Sequence, residues 1–128
     1  MKLSLNVNLK DAMLLVNTLE RIDANFIHYK IHQYEMENMS IENIKMGVKR
    51  IIRELNNFNK DFDIFYKDAI QLRDWLGVQG EYDTEELLGI SIVTIEDETQ
   101  VDEADRVLCN LYGDLARAIK QYKLSHNE

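Results

Sequence analysis

Apolar side chains recur from Ile41 to Leu76 at gaps that alternate strictly between three and four residues. A repeat of 3.5 residues sustained over about five heptads predicts one helix with a coiled-coil-like seam. Spanning 41–76 at 1.5 Å per residue, it would be roughly 54 Å long. Gly77 is placed to cap its C-terminus. The seam consists of Ile41, Ile44, Val48, Ile51, Leu55, Phe58, Phe62, Phe65, Ala69, Leu72 and Leu76.

Two further helices are predicted from the same spacing, over 9–36 and over 100–124. Asn8 can cap the first of them, and 23–25 is a possible break within it. A short loop at 37–39, followed by Ser40 as an N-cap, would join it to the 41–76 helix as an antiparallel hairpin. Thr99 and Asp102 form a capping-box-like pair before the last helix.

Two short segments have the composition of strands. In segment 2–8, Leu3, Leu5 and Val7 alternate with polar residues, and segment 89–95 is rich in β-branched residues. We expect these two strands to pair, within one chain or between neighbours. The sequence thus predicts a mostly α (α+β) fold in a single domain, 1–128. Three long amphipathic helices would pack in a coiled-coil-like manner beside a two-stranded β element.

A second apolar face on the 41–76 helix predicts a homo-oligomer. A three-helix bundle of this length is thin, and a contiguous exposed apolar face usually marks a partner's surface. The alternative is that the strands and the last helix cover this face within one chain. The residues concerned are Ile52, Ile64, Tyr66, Ile70 and Trp75.

The net charge of −8 comes from a single window, 81–105, which holds ten acidic residues and no basic ones. One interpretation is a surface that docks on a basic partner; the other is a solvated loop followed by the acidic first turn of a helix. On the first interpretation the partner-binding residues would be Glu81, Asp83, Glu85, Glu86, Glu96, Asp97, Glu98 and Asp102, together with the aromatic Tyr66 and Trp75.

Basic residues are concentrated on one stripe of the 41–76 helix. This stripe would either pair with acidic residues of the first helix or of a neighbouring chain, or bind a small anionic nucleotide between chains. Nucleic acid is not expected as a partner, because the chain is acidic and its basic residues are few. The candidate ligand-binding residues are Lys45, Lys49, Arg50, Arg53 and Arg73, with Tyr66 beside them.

Signatures of catalysis and of metal binding are weak. His28 and His32 share a helix face and Glu35 lies one turn further on, but no third strong ligand accompanies them. Cys109, the single cysteine, is expected to be a buried structural thiol. The chain lacks a Walker loop, GxGxxG and GxSxG, so we predict a protein that is not an enzyme, with no cofactor and no metal.

Cytoplasmic localisation is the expectation from composition. One cysteine fits a reducing compartment, and the uncharged run 87–95 is too short to span a bilayer. The N-terminus lacks the apolar core of a signal peptide, and no membrane association is expected.

The opening residues 1–9, the long helical hairpin and Glu85-Glu86-Leu87-Leu88 before an alternating strand carry a resemblance. In these features the chain resembles small proteins of phages or mobile elements of low-GC Gram-positive bacteria. The resemblance implies a phage-type accessory protein, often an anti-defence inhibitor that blocks or sequesters a host factor by protein–protein contacts. The alternatives are an oligomeric sponge for a small anionic nucleotide and a structural phage component.

Overall fold

The computed structural model describes residues 1–25, 41–79 and 95–126, and within them the fold is mostly helical with a small sheet, which confirms the predicted α+β class. A short 3₁₀ turn over Leu9–Asp11 follows the first strand. The strands are β1 (Lys2–Asn6) and β2 (Asp61–Phe65), and the helices are α1 (Ala12–Asn25), α2 (Ile41–Asn56), α3 (Tyr66–Gln79) and α4 (Ile95–Ser125).

The single long helix predicted over 41–76 is wrong, because β2 divides this segment into α2 and α3. Helix α2 ends in a Schellman motif: the N–H of Asn59 donates to the carbonyl of Glu54 at 2.9 Å, and that of Phe58 to Leu55 at 3.0 Å. Phe58 occupies the left-handed position of this motif, with φ of 61°. The apolar seam of α2 therefore ends at Leu55. Phe58, the next residue of the predicted seam, is 84% exposed.

The residues of strand β2 also follow a second periodicity, of two residues, within the segment whose apolar residues fit heptads. In the sequence DFDIF the two aspartates and Phe65 point to solvent, whereas Phe62 and Ile64 are buried. A helix would place Asp61 and Asp63 on divergent faces, whereas a strand puts both on the solvent side. Alternation at period two thus places every charge of this segment in water.

β1 pairs antiparallel with β2, with Lys2 opposite Phe65 and Asn6 opposite Asp61. The prediction of an N-terminal strand is confirmed, but its described partner is not the predicted segment 89–95. Residues 89–94 lie outside the described residues, and Ile95 is the first residue of α4. The sheet buries Leu3 and Leu5 of β1 on the same side as their partners Ile64 and Phe62 of β2.

The other predicted boundaries shift as well. The first helix is confirmed over 12–25, while 26–40, including the predicted loop and Ser40, lie outside the described residues. Helix α4 begins before Thr99, so this residue is inside the helix and does not cap it. Gly77 lies inside α3 and is not a C-cap.

The core lies where α2, α3 and α4 meet the buried face of the sheet and α1. Trp75 is 0% exposed and Ile64 is also buried, so the predicted second apolar face is wrong for these two residues. Ile52, Tyr66 and Ile70 are half-buried and pack against the same core. The alternative, in which other elements of the chain cover this face, describes these residues better, and the homo-oligomer stays a prediction.

Among the helices of the described residues, none combines the length and the hydropathy that crossing a bilayer requires.

Candidate functional site

A groove of about 310 Å³ opens between α2, the start of α3 and the sheet. Its volume is at the lower end of the range for small-ligand sites. Four cations, three apolar side chains and two carboxylates share it. The lining residues are Lys2, Met46, Lys49, Arg50, Arg53, Asp63, Ile64, Phe65 and Asp68.

Helix α2 provides the basic wall of the groove. Met46, Lys49, Arg50 and Arg53 follow one another at spacings of three, one and three residues, which places them along one side of the helix. Lys49 is exposed and has no ion pair with any residue in the described ranges. The side chain of Arg53 is 64% exposed and reaches only 3.7 Å from the carboxylate of Glu54. These two cations are therefore available to an anion.

Arg50 has a different role, because its guanidinium is already engaged. Its Nε donates to the main-chain carbonyl of Asp63 at 3.1 Å, and its Nη1 lies 3.0 Å from Glu54 Oε1. Glu54 is buried and also accepts a hydrogen bond from the side-chain amide of Asn59 at 2.8 Å. Arg50 thus connects α2 to β2 and shapes the groove.

An apolar surface faces the cations. Met46 and Phe65 are each more than half exposed, so they give the groove an accessible apolar surface. Phe65 points outward because it follows Ile64 in the alternating strand. The ammonium of Lys2, on the neighbouring strand, lies 5.0 Å from the centroid of the Phe65 ring, a cation–π distance.

Asp68, in the first turn of α3, is the buried polar residue of the groove, with 9% of its surface exposed. Burial raises the pKa of this carboxyl, and the charge of Lys67 partly offsets the increase. Its side chain accepts no hydrogen bond from another described residue. Its oxygens are not among the fully enclosed side-chain atoms, so a ligand in the groove can donate to them, and carboxyls with a raised pKa are concentrated at binding sites.

Comparisons with models of protein families, with curated proteins and with solved structures find no match to this chain. The function therefore has to be inferred from the chemistry of the groove.

The predicted ligand-binding residues divide into two groups. Lys49, Arg50 and Arg53 meet in the groove, whereas Lys45, which the spacing of four places on the same face as Lys49 and Arg53, does not line it. Arg73 pairs with its neighbour Asp74, with Nη2 and Oδ1 2.8 Å apart. Tyr66 stacks on Tyr122 of α4, with ring centroids 4.3 Å apart, and so helps to join α3 to α4.

The predicted acidic surface is described only in part. Glu81, Asp83, Glu85 and Glu86 lie outside the described residues, and Glu96 and Asp97 belong to the first turn of α4. Glu98 and Asp102 are exposed on the same helix. Trp75 is wrong as a partner-binding residue, because it lies in the core.

The metal and thiol predictions concern other parts of the molecule. His28, His32 and Glu35 lie outside the described residues, and among the described ones no three potential metal ligands cluster. Cys109 is exposed, so the predicted buried thiol is wrong. Leu108 takes the inward position, and the next residue of a helix turns about 100° away from it. Partial burial and the charge of Asp105 raise the pKa of the thiol, which favours its less reactive form.

Sequence reasoning missed the residues that complete the groove: Lys2, Met46, Phe65 and Asp68. Three of them come together only because β1 pairs with β2 and because α3 starts immediately after β2. The alternation in DFDIF was the available signal, since it would have identified Phe65 as outward-facing.

Proposed function

We propose that this protein is a non-enzymatic accessory binding protein that sequesters a small anionic ligand in the groove. One observation carries the proposal: Lys49, which has no ion pair among the described residues, and Arg53, whose only described contact with a carboxylate is 3.7 Å from Glu54, line the same groove as the exposed ring of Phe65. Charged groups facing an accessible aromatic surface are the elements that fix an anion with a flat apolar body.

The overall charge of the chain strengthens this interpretation. A protein with a net charge of −8 repels anions in general, so a local group of cations is a specific feature against that background. Arg50 is engaged by Asp63 and Glu54, and the ammonium of Lys2 lies over the Phe65 ring, which leaves Lys49 and Arg53, one turn apart on α2. Their spacing suits the oxygens of one phosphate or carboxylate group.

Binding is tested by isothermal titration with nucleoside monophosphates, comparing the wild type with Lys49→Ala/Arg53→Ala. We expect the double variant to lose most of the affinity. The matched control is Lys120→Ala/Lys123→Ala, which removes the same charge from exposed positions of α4 outside the groove. Equal loss in both variants would indicate only a general charge effect, and no binding by the wild type would contradict the proposal.

A second candidate is an inhibitor that blocks a host protein through protein–protein contacts. It is supported by Phe58, a large aromatic residue almost fully exposed in a left-handed turn, and by the exposed acidic residues Glu98 and Asp102 of α4. Exposed aromatic side chains are frequent binding hot spots.

Co-purification from a host lysate distinguishes the candidates: a retained protein that is lost in Phe58→Ala supports the inhibitor, and a released ultraviolet-absorbing small molecule supports the sponge. If neither a protein nor a small molecule is recovered, a structural phage component remains as the interpretation.

A further inference from the structure

The two ends of the groove differ in chemistry. At one end, the main-chain carbonyl of Asp68 lies 3.4 Å from the position that a Cβ of Gly47 would take, so the start of α3 contacts α2 at this residue. Arg53 lies six residues further along α2, about 9 Å at 1.5 Å per residue. Lys49 is only two residues beyond Gly47, so the buried carboxyl lies near one end of the groove and Arg53 lies toward the other, about 9 Å away. That separation is close to the length of a nucleoside monophosphate.

The buried carboxyl determines which base fits. An ionised carboxylate has only acceptors, and two neighbouring N–H donors would satisfy both of its oxygens. Guanine offers N1–H beside its exocyclic amino group on one edge. Adenine offers an amino group beside an acceptor nitrogen, and uracil offers one N–H between two carbonyls. Only guanine among these three presents adjacent donors to Asp68.

The rest of the groove suits the remainder of such a ligand. The half-exposed Phe65 provides a ring on which a base can stack, and stacking tolerates any base. Lys49 and Arg53 supply charge-assisted hydrogen bonds to the phosphate. Discrimination between bases must therefore come from a polar acceptor in the groove. Of its two carboxylates, Asp63 is exposed and accepts a hydrogen bond from Ser4, which leaves the buried Asp68 for the base.

We propose that the groove selects a guanine nucleotide, with Asp68 accepting hydrogen bonds from N1–H and the amino group of the base while Lys49 and Arg53 bind the phosphate. This inference rests on the proposed function and adds the identity of the base. Asp68 is then the residue that determines specificity.

Titrations with GMP, AMP and UMP test the inference. A site built to satisfy a buried polar group rejects analogues that lack the matching donors, so we expect wild type to prefer GMP by at least about tenfold. Asp68→Asn replaces two acceptors with one acceptor and one donor, which complements adenine. We expect this variant to lose GMP affinity and to prefer AMP. Asp61→Asn is the matched control, because Asp61 is exposed on β2 and outside the groove, and it should keep the wild-type preference.

The outcomes separate the two proposals. If wild type binds all three nucleotides equally, the guanine assignment is wrong while anion binding stands. If Asp68→Asn weakens all three by the same factor while its melting temperature is no lower than that of wild type, Asp68 does not discriminate between bases and the assignment is again overturned. If no nucleotide binds, the proposed function itself fails.

Discussion

The Nε of Arg50 donates a hydrogen bond to the main-chain carbonyl of Asp63 at 3.1 Å, which attaches helix α2 to the middle of strand β2. The same guanidinium pairs with Glu54, which is buried beside the turn that follows the helix. One arginine therefore holds together the helix, the turn and the strand that form the groove.

Replacing Arg50 should reduce stability, whereas replacing Arg53 should not. Arg50→Ala removes a charge-assisted hydrogen bond and leaves Glu54 buried with fewer partners, so we expect a loss of about 1.5–3 kcal/mol in the free energy of unfolding. Arg53→Ala changes an exposed side chain and should stay within about 0.5 kcal/mol of wild type. Urea unfolding followed by circular dichroism measures both. Equal effects would contradict the structural role assigned to Arg50.

The protein should be more stable with glycine than with phenylalanine at position 58. With φ of 61°, its backbone is left-handed, which brings the Cβ too close to the following carbonyl oxygen. Its exposed ring gains little from packing. We expect Phe58→Gly to raise the free energy of unfolding by about 1 kcal/mol. Phe58→Ala is the control, because alanine removes the ring and keeps the strained Cβ. A glycine variant no more stable than the alanine variant would argue against the left-handed turn.

Gly77 provides a test of the boundary of α3. Alanine favours a helix interior over glycine by about 0.5–1 kcal/mol, and a Cβ here would lie 3.2 Å from the ring edge of Tyr112, an exposed side chain that can move aside. We therefore expect Gly77→Ala to raise the melting temperature. A glycine that capped the helix in a left-handed conformation would give the opposite sign, so a lower melting temperature would support a helix end at this residue.

Trp75, the single tryptophan, reports on the core directly. Because it is fully buried, its fluorescence should resist quenching by iodide in the folded protein and become quenchable in urea. Trp75→Ala should cost about 3–5 kcal/mol through the cavity that it leaves. Ready quenching of the native protein would place this residue at a surface.

The burial of Asp68 determines how the stability of the protein should depend on pH. Because its pKa is raised from 3.8 in the folded state, the folded protein binds more protons than the unfolded chain between the two pKa values. The stability contributed by the protonated form is complete below pH 3.8 and is lost as the pH rises through the folded pKa. Asp68→Asn should therefore have a higher melting temperature than wild type at neutral pH. The difference should shrink toward acid pH.

Melting curves from pH 3 to pH 8 test this, with Asp61→Asn as the exposed control. A constant difference across that range would show that the carboxyl does not titrate in a buried environment. A stabilised Asp68→Asn that has lost nucleotide selectivity would indicate that stability is sacrificed for binding at this position.

Periodicity predicted α1, α2 and most of α4, because their apolar stripes face one core. It failed at β2, since Phe62 and Phe65 fit a heptad as well as Phe62 and Ile64 fit a strand. No glycine or proline marks the turn before β2, and its left-handed residue is a phenylalanine. The cations of α2 could be grouped from their spacing alone. Phe65 and Asp68 could not be added to them, because their positions depend on the pairing of distant strands.

That pairing has a consequence for synthesis on the ribosome. Ser4 and Asp63 face each other across the sheet although 59 positions separate them in the chain. At roughly 5–20 residues per second, β1 emerges several seconds before β2 exists. During that interval Leu3, Leu5 and Val7 form an alternating apolar segment without its partner strand. During this interval a chaperone or another nascent chain can bind β1, and slower translation between β1 and β2 would lengthen the interval.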